Sequence, residues 1–187
     1  METTFEKKKY KTKDLLLCAI FAALICIGAY ITIPLPLVPI TMQWFFVAIT
    51  GMLLGAKRGA VSTLLYMIMG LIGMPVFSGG KGGIGTVFSP NFGYIYGFVI
   101  SALVIGLIMQ KSKKTVLTYS IAGLIGLAIT YGLGFIHLYI FMTVFAGKTV
   151  VLFDLFKSAV LVFLPKDALC TILCALVAVR IPKNLLD

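Results

Sequence analysis

The sequence is poor in charge, and especially poor in acidic residues. Only 12% of its 187 residues are charged, six are acidic, and there is a single histidine. Hydrophobic residues make up 60% of the chain, and the mean hydropathy is +1.09. Soluble domains carry about 25% charged residues. The balance here excludes a water-soluble fold and predicts that membrane lipid contacts most of the surface.

The residue types on which most enzyme chemistry depends are also scarce. His137 lies in an apolar stretch with no carboxylate near it in sequence, and no Walker A motif is present. The four cysteines lie in apolar stretches without histidine or carboxylate at ligand spacing, which indicates packing residues and not a metal site. We therefore expect no catalytic residues, no metal and no cofactor, and a protein that binds or passes a solute.

The apolar residues gather in six stretches, near residues 14–33, 37–55, 59–75, 91–110, 115–141 and 152–181. A helix needs about 20 residues to cross the hydrocarbon core. In the last and longest stretch we predict an interfacial extension over 152–163 and the span itself over 164–181. The sequence therefore predicts an all-α membrane protein, with one domain over residues 1–187 and six transmembrane helices.

The basic residues predict the orientation of these helices. Six spans place 12 of the 16 basic residues on one side, namely Lys7, Lys8, Lys9, Lys11, Lys13, Lys57, Arg58, Lys111, Lys113, Lys114, Arg180 and Lys183. Cytoplasmic loops are rich in Lys and Arg, so both termini are predicted to be cytoplasmic and the protein to lie in the bacterial plasma membrane. The basic residues lack the aromatic interleaving typical of nucleic-acid binding, so no nucleic-acid partner is expected.

A glycine-rich segment separates the third and fourth apolar stretches. Five of the seven residues 79–85 are glycine, which excludes a stable helix. The segment carries one cation, Lys81, with aromatic residues on both sides. Glycine leaves backbone N–H groups free to approach an anion, so one interpretation is a small-molecule pocket in which Lys81 receives a carboxylate. The other interpretation is a flexible outer loop with a solvated lysine.

Two further polar positions lie at the predicted outer ends of spans. Asp167 follows Lys166 at the start of the last span. A carboxylate there either faces a polar cavity or is an N-terminal helix residue favoured by the helix dipole. Gln43 follows three prolines within residues 34–39. Its amide either faces a pocket or bonds a neighbouring helix.

Small residues form a strip on the first predicted helix. Ala19 and Ala23 are four residues apart and therefore lie on one helix face. Such strips allow close packing of helices. The strip serves either packing within the chain or docking of a partner.

Four runs of the sequence resemble the BioY family, the biotin-binding S components of energy-coupling factor (ECF) transporters. They are PITMQ at 39–43, GMLLGAKRG at 51–59, YMIMGLIGMPVFSGGKGG at 66–83 and SPNFGY at 89–94. The resemblance covers essentially the whole chain, and the Gly-Gly-Lys-Gly-Gly block with its flanks is its most specific part.

The resemblance implies a fold, a ligand and partners. The fold is six membrane helices with a pocket near the outer face, covered by the loops between helices 1 and 2 and between helices 3 and 4. The ligand is biotin. The partners are a transmembrane coupling subunit, for which Ala19 and Ala23 resemble the docking surface, and two cytoplasmic ATPases that supply the nucleotide hydrolysis.

The resemblance also implies individual site residues. Asp167 matches an acidic residue that contacts the ureido ring, and Lys81 occupies a loop position that contacts ligand. The predicted substrate site is completed by Gln43, Asn91, Tyr94, Gly80, Gly82 and Lys166.

The sequence departs from the family pattern at two positions. Ile95 stands where some members have an arginine, and Cys170 where some have a lysine. Lys81 and Lys166 are candidates to replace these cations. The alternatives that remain open are an S component for another vitamin, a stand-alone oligomeric biotin transporter, and a structural membrane protein.

Overall fold

The computed structural model describes residues 12–35 and 38–182. Within them the helices are α1 Thr12–Tyr30, α2 Gln43–Leu71, α3 Phe92–Lys111, α4 Val116–Ile140, α5 Leu152–Phe156 and α6 Leu164–Arg180. A short 3-10 helix covers Ile84–Phe88, and π-helical turns cover Phe141–Phe145 and Lys157–Leu161. Strands β1 (Thr32–Ile33) and β2 (Ile40–Thr41) form a small antiparallel hairpin.

The described residues contain five helical segments long and apolar enough to cross a membrane. They are Thr12–Tyr30, Gln43–Leu71, Phe92–Lys111, Val116–Phe145 and Leu152–Arg180. The protein is therefore a multi-pass integral membrane protein of mostly helical structure. The predicted stretches 37–55 and 59–75 differ from this pattern, because most of both lies within the single element α2.

The helix α2 is nevertheless folded back on itself at Gly55. Its φ of 74° and ψ of −175° are far from helical values and are accessible almost only to glycine. Gln43 Nε2 donates a hydrogen bond of 2.7 Å to Tyr66 Oη, 23 residues further on. A straight helix would hold these residues about 35 Å apart at 1.5 Å per residue. The two arms, 43–54 and 56–71, therefore lie side by side.

Close approach of α3 holds the fold-back in place. A Cβ on Gly106 would come within 2.1 Å of the backbone nitrogen of Ala56, so only glycine lets α3 reach the α2 break. Further along, the Ser101 hydroxyl on α3 donates 2.6 Å to the Gly126 carbonyl of α4 and contacts Thr130 Oγ1 at 2.8 Å. These contacts make α2, α3 and α4 the centre of the helix bundle.

Several sequence predictions can be placed on this fold. Helix α6 begins at Leu164, where the last span was predicted to begin. The interfacial location of 152–163 stays a prediction. Ala19 and Ala23 are both exposed on α1, next to buried Cys18 and Ala22. The basic residues of the N-terminal tail up to Lys11, and Lys183 at the C-terminus, lie outside the described residues.

Candidate functional site

A cavity of about 380 Å³ lies between the β1–β2 hairpin, the loop 72–91, the first turns of α2, α3 and α6, and the middle of α4. Its wall is largely apolar and aromatic, with a few polar groups. The apolar part consists of Pro34, Leu35, Val38, Pro39, Trp44, Phe77, Pro90, Tyr94, Ile95, Phe98, Leu127, Tyr131 and Phe163. The combination of an apolar wall and few polar groups is typical of a small-molecule site.

Six of the eight predicted substrate-site residues line this cavity: Gln43, Lys81, Asn91, Tyr94, Lys166 and Asp167. Gly80 and Gly82 are not part of the described wall, and Gly79 is. Packing requires glycine at position 82, because a Cβ there would come within 2.2 Å of the Met74 carbonyl oxygen. That these side chains contact a substrate stays a prediction.

The loop 72–91 presents Lys81 on a tight turn. Gly79 and Gly80 both have positive φ, 77° and 68°, which favours glycine. The turn is closed by hydrogen bonds from Phe77 N to Lys81 O and from Gly80 N to Phe77 O, both 3.0 Å. The Lys81 side chain is exposed at the cavity wall, and its ammonium has no ion pair among the described residues. It is available to an anion.

Asp167 is the acidic group of the cavity. It lies in the first turn of α6 and is only 5% exposed. Tyr131 Oη on α4 donates a 2.6 Å hydrogen bond to its Oδ2. The Lys166 ammonium lies 2.5 Å from Oδ1 as an ion pair, but Oδ1 accepts no hydrogen bond of regular geometry within the described part of the chain. Oδ1 therefore keeps acceptor capacity beyond its ion pair with Lys166.

Lys166 also fixes the β1–β2 hairpin. Its ammonium donates a hydrogen bond to the main-chain carbonyl of Thr41, in β2. The same cation thus neutralises Asp167 and holds a wall of the cavity against α6. A buried carboxylate is costly without such a partner, so the ion pair with Lys166 explains how the buried Asp167 is tolerated.

Gln43 lines the cavity with its amide already bonded at both ends. Its Oε1 accepts from Thr41 Oγ1 at 3.0 Å, and its Nε2 donates to Tyr66 Oη at 2.7 Å. Tyr66 Oη in turn donates to the Val76 carbonyl at 3.3 Å. Both sequence interpretations of Gln43 therefore apply, since it faces the pocket and bonds a neighbouring helical arm. Its bonds join the hairpin to the loop 72–91.

Asn91 contributes an oxygen that lacks a partner. Its Oδ1 is buried and accepts no hydrogen bond from the described residues. A buried acceptor without a donor costs about 1–3 kcal/mol. A donor that reached this oxygen would recover that cost.

Among the cavity residues that sequence reasoning missed are two with buried polar atoms, Tyr131 and Trp44. Trp44 is the only tryptophan of the chain. It lines the cavity, and its indole N–H donates 2.9 Å to Thr171 Oγ1. Buried Tyr and Trp usually need a partner for their polar atom. That rule was the available signal for both residues, but it does not say which residue is the partner.

The two departures from the family pattern have different surroundings. Ile95 lines the cavity as an apolar side chain. Cys170 is buried on α6 but is not part of the described cavity wall. The cations of the wall are therefore Lys81 and Lys166.

The whole chain matches known proteins of one family. The sequence model described as the BioY family matches residues 2–187. The "Probable biotin transporter BioY" of Lysinibacillus sphaericus is 45% identical over 138 residues, 73% of this chain and 70% of that protein. The "Biotin transporter BioY" of Thermotoga maritima is 36% identical over 174 residues, 91% of this chain and 96% of that protein.

A solved structure has the same fold. It is the crystal structure of the "S-component for biotin from an ECF-type ABC transporter", with a TM-score of 0.80 and 27% identity. The match covers 92% of this chain and 94% of that chain. Because the family sequence model spans nearly all of the sequence and the fold agrees, the chain belongs to the BioY family.

Proposed function

We propose that this protein is the biotin-binding S component of an ECF-type ABC transporter, which captures biotin from outside the cell for ATP-driven uptake. The observation that carries the proposal is the charge pattern of the cavity wall. Lys166 and Asp167 neutralise each other, and Lys81 is left as a cation without an ion pair in the described structure. Such a cavity favours a largely apolar monoanion.

Biotin has the groups that this wall can accommodate. Its tail ends in a carboxylate, its thiophane ring and valeryl chain are apolar, and its ureido ring carries two N–H donors and a carbonyl. In our proposed pose the carboxylate pairs with Lys81. One ureido N–H donates to Asp167 Oδ1, and a second donor reaches Asn91 Oδ1, the two buried oxygens that lack hydrogen bonds. The rings and chain pack on aromatic residues such as Trp44.

We further propose a single domain with six spans and cytoplasmic termini. The fold-back of α2 supports this count, because it divides one of the five long helical segments into two arms that lie side by side. Lys57 and Arg58 follow the break at Gly55, and Arg58 Nε pairs with Asp14 Oδ1 at 2.9 Å. The break and the start of α1 therefore lie at one end of the bundle. The positive-inside rule assigns that end to the cytoplasm.

We propose that transport itself depends on partner subunits. The exposed Ala19 and Ala23 are the proposed docking strip for a transmembrane coupling subunit, which works with two cytoplasmic ATPases. In this proposal the chain is not itself an enzyme and holds no resident cofactor. Biotin is its cargo.

The test is biotin binding by the purified protein in detergent, measured by isothermal titration calorimetry and by the fluorescence of Trp44, the only tryptophan of the chain. Saturable binding of biotin, with no binding of thiamine, is the expected result. Binding of thiamine or another vitamin in place of biotin would assign the site to a different S component. Folded protein that binds neither compound would refute the proposed function.

A further inference from the structure

The helical segment that contains α4 is longer than a membrane span requires, and it extends at the end near the loop 72–91. Together with its π-helical turn, the helical segment Val116–Phe145 has 30 residues. At 1.5 Å per residue it is about 45 Å long, against about 30 Å for the hydrocarbon core. Its first residues follow the basic Lys113 and Lys114. If that end lies at one membrane surface, residues from about 137 onward reach the opposite interfacial zone.

The side chains at this end are large, apolar and exposed. Val144 is 70% and Phe145 61% exposed. The 3-10 helix of the loop 72–91 adds Ile84 at 71% and Phe88 at 62%. The rings of Phe88 and Phe145 meet edge to face, with centroids 5.8 Å apart. These four residues, two from each segment and joined by the contact between Phe88 and Phe145, are here called the ledge.

The ledge continues the lipid-facing surface of α4. Ile136, Ile140 and Val144 are spaced four residues apart, so they lie on one helix face, and all three are exposed. Burial of apolar surface is favourable by about 25 cal/mol per Å². An apolar patch that is continuous with a lipid-facing helix and lies at the edge of the hydrocarbon core is therefore covered most favourably by lipid.

We propose that the ledge is embedded in the interfacial zone of the bilayer leaflet on the side of the cavity opening, where it anchors one wall of the cavity to the membrane. The link to the cavity is Thr86, which lies between Ile84 and Phe88 on the same 3-10 helix and lines the cavity. Its hydroxyl donates 2.7 Å to the Gly83 carbonyl, which closes the turn. One short helix thus has a cavity face and a lipid face.

The anchor has a consequence for ligand exchange, and this part rests on the proposed function. A ligand that leaves past the loop 72–91 must displace the wall that carries Thr86. Displacement moves Ile84 and Phe88 out of the interfacial zone and exposes apolar surface to water, which raises the barrier. Removal of the anchor should therefore speed ligand dissociation in a bilayer.

The depth of the ledge is tested by spin labelling, without any ligand. Single cysteines at Phe88 and Phe145 are introduced into a chain whose four cysteines are replaced by alanine, and the protein is placed in nanodiscs of phosphatidylethanolamine and phosphatidylglycerol. Labels at Ile136 and Lys81 serve as lipid and water references. We expect spin labels at both ledge positions to be more accessible to oxygen, which concentrates in lipid, than to a water-soluble nickel chelate. Labels on the ledge that are as accessible to the nickel chelate as the label at Lys81 would overturn the proposal. Spin–spin broadening that disappears on dilution would also overturn it, because a second copy of the chain would then cover the ledge.

A second variant keeps the native cysteines, in case their replacement prevents folding. Phe88→Trp adds a tryptophan whose fluorescence can be quenched by lipids brominated in their acyl chains. Trp44 is 3% exposed and provides the baseline from the unsubstituted protein. Strong quenching of the added tryptophan is expected, and quenching no greater than the baseline would contradict a lipid contact.

The effect on exchange is measured with the double variant Ile84→Ser, Phe88→Ser in the same nanodiscs. We expect the dissociation rate of radiolabelled biotin to rise several-fold, and to stay unchanged in the control Ile136→Ser, which alters the lipid face away from the ledge. An unchanged rate in the double variant would refute the anchoring role. Absence of biotin binding in the unsubstituted protein would refute the proposed function instead, and the depth measurements would still stand.

Discussion

Replacement of Tyr131 by phenylalanine tests the polar part of the cavity with the smallest possible change. The variant loses one hydroxyl, whose hydrogen bond to Asp167 Oδ2 is 2.6 Å long. Hydrogen bonds to charged groups contribute about 1.5–3 kcal/mol, and Asp167 is only 5% exposed, so water cannot easily replace the lost donor. The carboxylate is then held by Lys166 alone and turns toward it.

Two measurements should respond to this change. The Tyr131→Phe protein should be less stable in detergent, since an oxygen of a buried carboxylate loses its donor. Its affinity for biotin should fall about tenfold, because about 1.4 kcal/mol of preorganisation at Asp167 Oδ1 corresponds to that factor. Thermal unfolding and calorimetry on the same preparation separate the two effects.

The matched control is Tyr96→Phe on the neighbouring helix α3. Tyr96 Oη donates to the Leu133 carbonyl of α4 at 3.3 Å, and Tyr96 is not part of the described cavity wall. This variant should lose some stability and retain its affinity for biotin. Equal affinity in both variants would show that Tyr131 does not position Asp167, and the proposed role of the carboxylate would fail with it.

Three further predictions concern the loop cation, the docking strip and the helix break. Lys81→Ala should weaken calorimetric binding of biotin but hardly change that of biotin amide, which lacks the carboxylate charge, and equal losses would contradict the proposed pairing. Ala19→Leu with Ala23→Leu should leave biotin binding intact and abolish cellular uptake with the coupling module, because bulk prevents close helix contact; loss of binding would count against a docking role. Gly55→Ala should lower the free energy of unfolding by about 1–3 kcal/mol, because alanine rarely adopts the backbone angles of Gly55. The control Gly132→Ala, whose added Cβ would meet no atom of the described residues within 4 Å apart from its own stretch of helix, should not be destabilised.

The sequence was sufficient to predict most of the helical framework. The basic pair Lys57–Arg58 divided the second and third apolar stretches, and the structure breaks its helix two residues before that pair, at Gly55. Local signals of this kind are readable because glycine and charge interrupt an apolar run wherever they occur. Such local signals do not decide whether the second and third stretches are separate spans, because the two arms of α2 are joined without a loop.

The cavity was predictable only in part, because its contacts join distant segments. Lys81 could be found because glycine surrounds it, and Asp167 because a carboxylate in an apolar span is costly. The hydrogen-bond donor to Asp167 Oδ2 could not be found, since Tyr131 is 36 residues away and the pairing depends on how α4 packs against α6. Gly80 and Gly82 were predicted to line the cavity, but Gly79 lines it instead. The geometry of the turn decides which glycine borders the cavity.

The scarcity of charge in the sequence is also the basis of the proposed selectivity. The described cavity wall carries two cations, Lys81 and Lys166, and one anion, Asp167. An unpaired charge enclosed in an apolar surrounding is costly, whereas a paired one is tolerated. A ligand with one negative charge makes the closed site neutral, and a neutral ligand leaves one positive charge enclosed. Closure of the loops over the cavity should therefore be favoured by a monoanion such as biotin and disfavoured by its uncharged derivatives.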